Sequence, residues 1–410
     1  MDSTIAGPSK EKTALKKLPR NVWILTVTSF FTDISSDMII NLIPLFLTQV
    51  LGQATAVVGL IEGIAETTAS LMKVFSGGLS DKLGRRKSLA VIGYGLSSLS
   101  KPFLFFASSW GAVLGVRFSD RLGKGIRTAP KEALLAQSVD QEHRGLAFGV
   151  HRAGDTAGAF LGILIATLII WLTQSDPNQL SMRTFRIVVL ASIIPAFLAV
   201  LVLWLGAREV PSAGEQKRLP ALSFRGMDRR FIAFLLITVL FTLGNSSDAF
   251  IILRGKERGL TILGVMGMML TFNAVYTLLS GPAGALSDRI GRRRLILFGW
   301  LAYGLIYLGF GLANTGTGIW ALFGLYGIYY AMTEGAGKAL IADLVPNEKR
   351  GTAYGLYAAA VGLTAFPASV IAGLLWSGAG SWAGFGPSAP FYFGSALTLL
   401  AGGLFWKFVK

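Results

Sequence analysis

Long apolar runs separated by short polar breaks dominate this chain; Ile163–Leu172, Ile187–Leu205 and Phe231–Leu243 are examples. With their flanks such runs reach about 20 residues, which as a helix cross roughly 30 Å of hydrocarbon. Twelve spans can be read, over residues 22–48, 56–79, 88–107, 110–137, 146–172, 186–207, 231–253, 261–285, 294–313, 318–343, 352–376 and 390–407. The pattern predicts an all-α membrane protein with 12 transmembrane helices. So many spans exclude a lone anchor, and the polar, basic first 20 residues argue against a cleavable leader. The span 110–137 is the least apolar, because it carries Arg117, Asp120, Arg121, Lys124, Arg127 and Lys131.

Composition agrees: 52% of the 410 residues are hydrophobic and 15% charged, where soluble domains carry about 25% charged. The net charge of +16 would suit a nucleic-acid binder, but its placement argues otherwise. Basic residues cluster in Lys10–Arg20, Lys82–Lys87, Arg208–Arg230, Arg289–Arg294 and Lys349–Arg350. The intervening loops Gln49–Ala56, Ala107–Trp110 and Ala313–Thr317 have no Lys or Arg. Such alternation places both termini in the cytoplasm, and no nucleic-acid partner is expected. Cysteine is absent and His143 and His151 are the only imidazoles, so no metal site and no cofactor are expected.

Two segments read almost alike. Gly77–Lys87 (GGLSDKLGRRK) returns as Gly284–Arg294 (GALSDRIGRRR), 207 residues on. Ala133–Gly145 returns as Ala339–Gly351 at an offset of 206, and Ser35-Ser36-Asp37 echoes Ser246-Ser247-Asp248. Matches in order at nearly constant offset indicate duplication. The expected organisation is a tail (1–21), a six-helix bundle (22–207), a basic cytoplasmic linker (208–230) and a second bundle (231–410), pseudo-symmetric about the membrane normal. By this repeat the polar span 110–137 must be a helix like its counterpart Ile319–Val345.

The duplicated Gly-x-Leu-x-Asp-Lys/Arg-x-Gly-Arg-Arg loop resembles the signature between helices two and three of the major facilitator superfamily. The Glu-x-Arg-Gly after the fourth and tenth spans, Glu142 to Gly145 and Glu348 to Gly351, is also similar to that family. The resemblance covers essentially the whole chain and implies two bundles rocking around a central site. It implies gating roles for Gly77, Asp81, Arg85, Arg86, Gly284, Asp288, Arg292, Glu142, Arg144, Glu348 and Arg350. Glycines would permit close helix approach; Asp81 and Asp288 would accept at a neighbouring helix N-terminus; arginines would pair with acids or lipid phosphates. The alternative is that the arginines only set topology. In relatives a loop arginine often pairs with an acid ending helix four. Asp343 suits that role, but the aligned residue of the first half is Gln137, so Glu132 or Asp140 would have to substitute.

Ionisable residues at membrane depth default to functional candidates. Asp33 and Asp37 lie four apart on one face of the first span. Glu62, Glu66 and Lys73 follow in the second, Lys101 in the third, Arg152 and Asp155 in the fifth. The other half offers only Asp248, Glu334, Lys338 and Asp343. Arg121-Leu-Gly-Lys-Gly125 resembles the Arg-x-x-Gln-Gly motif of proton-coupled drug exporters, with Lys124 in place of Gln. That resemblance implies that Arg121 neighbours Asp33 or Asp37. The proton-coupling candidates are Asp33, Asp37, Glu66, Arg121 and Asp155; a static ion pair is the alternative. Arg117, Arg121 and Lys124 share one helical face and would favour an anionic substrate, unless the nearby acids neutralise them. Asp248, Asn273, Tyr276 and Glu334 complete the substrate-binding candidates. Gly145, Gly149, Gly154, Gly158 and Gly162 form a packing face on the fifth span. It loosely resembles the helix-five motif of antiporters but lacks its proline.

These readings point to a monomeric secondary transporter in a bacterial cytoplasmic membrane, exporting a small organic solute in exchange for protons. The alternatives are uptake or exchange of an organic anion and, in another class, a membrane sensor or lipid-modifying enzyme. No Gly-x-x-x-x-Gly-Lys-Ser/Thr loop occurs, which argues against a nucleotide-driven pump.

Overall fold

The computed structural model describes residues 18–140, 143–210, 224, 227–346 and 349–409, apart from the side chains of Ala285 and Asp288. Glu142, Glu348, the Asp288 carboxylate, most of the tail and most of the linker therefore lie outside the described residues.

Among the described residues, twelve long helical elements follow one another. They are α1 (Arg20–Val50), α2 (Thr55–Leu83), α3 (Arg86–Phe106), α4 (Trp110–Gln137), α5 (Arg144–Thr173) and α6 (Met182–Gly206), then α7 (Arg229–Glu257), α8 (Ile262–Ile290), α9 (Arg292–Leu312), α10 (Gly316–Leu344), α11 (Arg350–Ser377) and α12 (Ala389–Phe408). Ten are long and apolar enough to span a bilayer. The charged α4 falls short, as does its repeat counterpart α10. What holds α4 is packing: it lies against α2 and α3, where Gly93 and Gly123 bring the α3 and α4 backbones together.

Three elements depart from straight α-helix. In α1 the helix breaks at Asn41–Leu42 and ends in a wider π turn over Phe46–Val50. In α3, Lys101–Phe106 tightens into a 3₁₀ turn at Pro102, which has no N–H for the α ladder. In α7, Asn245–Ser247 are unwound and a new helix, Ala249–Glu257, starts after Asp248, whose side chain makes no capping hydrogen bond. Gly84 and Gly291 of the duplicated loop have φ of +62° and +89°, so a side chain there would be strained. Each turns the chain directly into the next helix.

Helices α1–α6 pack mainly among themselves, as do α7–α12; the two sets meet along α2–α11 and α5–α8. On the first seam, a methyl added at Gly63 would sit 3.0 Å from the Phe366 carbonyl, and Thr67 Oγ1 donates to the Gly362 carbonyl at 2.6 Å. The face opposite the α6–α7 connection is sealed: Ile262 N donates to the Pro177 carbonyl at 2.9 Å, and Ala56 N to Ser377 Oγ at 3.0 Å. Gly154, Gly158 and Gly162 pack α5 onto Thr26, Phe30 and Ile34 of α1. The expected glycine face stops there, since Gly145 and Gly149 have no neighbour within 4 Å of a built Cβ.

Candidate functional site

The cations of α4 are mostly matched by the helices that bury it. Arg117 meets Glu62 of α2 at 2.6 Å, with both side chains at most 6% exposed. Arg121 meets Glu66 at 3.2 Å and Asp120 at 3.9 Å. Arg127 donates to Ser97 Oγ at 2.9 Å and lies over the Tyr94 ring; Lys131 donates to Ser29 Oγ at 3.0 Å. Matching inside the bundle lets so polar a helix occupy membrane depth. Lys124 differs: it is exposed, and no carboxylate among the described residues lies within 4 Å.

Arg121 forms its ion pair with Glu66 of α2 and also lines the cavity that Asp33 and Asp37 border. Among the described residues neither Asp33 nor Asp37 has a side-chain hydrogen bond or ion pair. Both border a 130 Å³ cavity that also touches Lys101, Arg117, Asp120, Arg121, Lys124 and Arg127. Both also border a 390 Å³ cavity shared with Asp155 and Asn273. Asp37 reaches a third cavity of about 480 Å³, between the two helix sets, with Glu62, Glu66, Asp248 and Asn273 on its wall. Lys101, which sequence reasoning noted but did not place in the site, is buried; its Nζ donates to Ser35 Oγ at 2.6 Å and Ser36 Oγ at 3.1 Å. Asp155 lies 3.8 Å from His151, whose two ring nitrogens are buried without partners.

In the second half, Asp248 accepts from the Tyr326 hydroxyl at 3.1 Å. Tyr303, Tyr307, Tyr326, Tyr329 and Tyr330 form a continuous ring cluster behind it. Asn273 Nδ2 donates to the Met269 carbonyl of its own helix at 3.0 Å. Tyr276 and Glu334 are tied to Arg152 of α5: Arg152 Nη2 lies 2.8 Å from Glu334 Oε2, and both groups bond the Tyr276 hydroxyl. Arg152 was missed as a site residue because its partners come from the other half. Beyond this bridge, a 540 Å³ vestibule is lined by Ser280, Gly284, Arg292 and Lys338.

The loop residues act differently from the expectation. Asp81 accepts from Arg86 of its own loop at 3.0 Å, and the α3 N-terminus is capped instead by Glu209, which accepts from Arg86 N at 2.8 Å and Lys87 N at 3.0 Å. Glu209 lies in the expected linker, where only charge had been read. Arg85 is exposed. Arg292 pairs with Asp343, as expected; in the first half Gln137 Oε1 is buried without a partner, and Glu132 pairs with Lys73 at 3.1 Å rather than with a loop arginine. Arg144 donates to the Ala136 carbonyl at 3.2 Å, and Arg350 to the Ala342 carbonyl at 2.8 Å, so both satisfy helix-end carbonyls within their own halves. Gly77 makes only ordinary contact with Ala129, at 3.4 Å, and Gly284 has no neighbour within 4 Å. Neither allows a close helix approach in this conformation.

A cavity between two sets of six helices, bordered by mid-helix carboxylates and sealed on one face, is the architecture of an alternating-access transporter. The Major Facilitator Superfamily model matches residues 25–271 and 220–410, and the chain belongs to that family. It is 37% identical over 396 residues to an uncharacterized MFS-type transporter of Methanocaldococcus jannaschii, covering 94% of each chain. It is 26% identical to a probable 4-methylmuconolactone transporter of Cupriavidus pinatubonensis, over 75% of this chain and 72% of the relative. It is 32% identical to multidrug resistance protein 2 of Bacillus subtilis, over 42% and 39%. Among solved structures, a POT family transporter in complex with 5-aminolevulinic acid superposes with a TM-score of 0.80 at 12% identity, covering 95% and 96%. The nucleoside transporter NupG does so at 0.73 and 14%, covering 95% and 99%. These likenesses establish the fold and a transporter in a membrane.

Proposed function

We propose that this chain exports a small organic solute in exchange for protons. The observation that carries this reading is that Asp33 and Asp37 border the interior cavities at mid-helix and have no fixed partner among the described residues. A carboxylate without a permanent ion pair can load and release a proton as its surroundings change. Glu66 and Arg121, held to each other, then orient α2 against α4, and Asp155 extends the acidic path along α5. Export is supported by the multidrug resistance relative. Residues 22–207 and 231–410 are read as the two rocking bundles, and Arg152, Tyr276 and Glu334 as a bridge between them. The basic linker supports a cytoplasmic α6–α7 face, on which reading the contacts on the opposite face close the cavity toward the outside.

A second reading, uptake or exchange of an organic anion, is favoured by Lys124, an exposed cation on a cavity wall with no carboxylate within 4 Å among the described residues. Flux into proteoliposomes across a panel of cationic, neutral and anionic solutes, with and without an imposed pH gradient, separates the two. Accumulation that ignores the gradient for every solute defeats proton coupling.

A further inference from the structure

The two copies of the duplicated loop are fastened differently. In the second half Arg292 pairs with Asp343 and also donates to the Ala339 carbonyl at 3.1 Å, so that loop is tied to the end of α10. The repeat carries Arg292 onto Arg85 and Asp343 onto Gln137. Arg85 is exposed, and Gln137 Oε1 is buried without a partner. Among the described residues no carboxylate of α4 or of the turn after it lies within 4 Å of Arg85 or Arg86.

The first loop is fastened from elsewhere. α6 ends at Gly206, and shortly after it Glu209 lays its carboxylate across the start of α3. Oε1 accepts from Arg86 N at 2.8 Å and Lys87 N at 3.0 Å, and Oε2 accepts from Lys87 N at 3.1 Å. First-turn N–H groups have no carbonyl partner within their own helix, and the side chain of Arg85, just before the helix, does not cap them. A carboxylate there also meets the positive end of the helix dipole. Glu209 is itself held in place. Arg208 N donates to Asn21 Oδ1 and Asn21 Nδ2 donates to the Arg208 carbonyl, each at 2.9 Å. Asn21, only 7% exposed, also donates to Ser138 Oγ at 3.0 Å. Ser138 follows Gln137 directly and closes the end of α4, its Oγ donating to the Leu134 carbonyl at 2.7 Å. One line of contacts therefore runs from the first loop through Glu209, Arg208 and Asn21 to the end of α4. It joins the same two places that Arg292 and Asp343 join directly in the second half.

We propose that Glu209 is the positioning residue of the first loop, standing in for the ion pair that Gln137 cannot make. The start of the linker is then part of the first bundle's gate and not only a tether between bundles. This rests on the reading of residues 22–207 and 231–410 as rocking bundles, and on neither the solute nor the proton.

The test uses the full-length chain, two readouts and no solute. Amide hydrogen exchange of the peptide 83–89 in the purified protein reports the cap, with the peptide 291–296 of the second loop as control. Labelling of a cysteine at Ser70 by an impermeant maleimide, applied from the linker face of oriented proteoliposomes, reports the gate. Glu209→Gln should speed exchange at Arg86 and Lys87 roughly fivefold and leave the control peptide unchanged. It should also speed labelling by about threefold, because a loosened loop closes that face less firmly. Adding Gln137→Asp gives Arg85 the acid that Arg292 has. It should return labelling to the parent rate while exchange stays fast, since that pair ties the loop without touching the α3 N–H groups. Asn21→Ala, which keeps the carboxylate but frees Arg208, should speed labelling similarly and serves if Glu209→Gln is not recovered. Unchanged exchange in Glu209→Gln would overturn the proposal. So would faster exchange with unchanged labelling, which marks a helix cap and nothing more, or labelling that Gln137→Asp does not restore. Glu334→Gln acts on the same labelling through the contact between the bundles. If it changes the rate and Glu209→Gln does not, the positioning role fails alone; if neither does, the rocking reading fails and takes this proposal with it.

Discussion

Arg152 of α5 meets Glu334 of α10 at 2.8 Å, across the boundary between the two helix sets and beside Tyr276. Their side chains are 52% and 34% exposed, so the pair is worth no more than about 1 kcal/mol. That is enough to shift a two-state opening about fivefold. Glu334→Gln should therefore speed labelling of a cysteine placed at Ser70, on the central cavity, from the linker face by roughly threefold to fivefold. The native chain has no cysteine to interfere. An unchanged labelling rate would show that the bridge does not hold that side closed.

The Arg117–Glu62 pair should behave differently, because both side chains are almost fully buried. Removing one partner leaves the other charge uncompensated, at a cost of about 3–5 kcal/mol. Glu62→Gln is expected to lower the melting temperature of the purified protein by several degrees or prevent its recovery. A melting temperature equal to the parent's would contradict the burial argument.

For proton coupling, Asp33→Asn and Asp37→Asn should each lose pH-gradient-driven accumulation and keep some exchange down a solute gradient. A permanently neutral side chain cannot carry the proton, yet it does not block rocking. Arg121→Ala should impair transport more broadly, since it frees Glu66 rather than an acid of α1. Full pH-driven transport in both aspartate variants would exclude them as carriers.

Lys124→Gln separates the two substrate readings. Among the described residues Lys124 has no carboxylate within 4 Å, so stability should change by no more than about 0.5 kcal/mol. Weakened transport of anions with cations spared supports the anion reading; unchanged anion transport removes its main support.

Sidedness can be tested at Phe224, which is 53% exposed in the α6–α7 connection. Phe224→Cys should react with an impermeant thiol reagent only from the cytoplasmic side. Labelling from outside would reverse the charge-based orientation.

Much of this protein is legible along the chain, because span length, apolarity and loop chemistry are local properties. Ten spans follow from apolar runs, the polar fourth from the internal repeat, and the family from a duplicated loop whose Gly84 and Gly291 have positive φ. The Arg292–Asp343 pair was legible through that family's loop pattern. Partner choice was not legible, because every carboxylate reads alike until helices distant in sequence pack. Only packing sends Arg121 to Glu66, gives the α3 N-terminus to Glu209 and sets Arg152 against Glu334. The break in α7 was hidden too, since Asn245–Asp248 interrupts an otherwise apolar run by four polar residues that could equally sit on one turn of a continuous helix. Tertiary structure unwinds that turn beside the cavity and leaves Asp248 without the cation that Asp37 has nearby. That difference follows from which residues α3 and α9 place behind the two segments, Lys101 in one half and an uncharged tyrosine or leucine in the other.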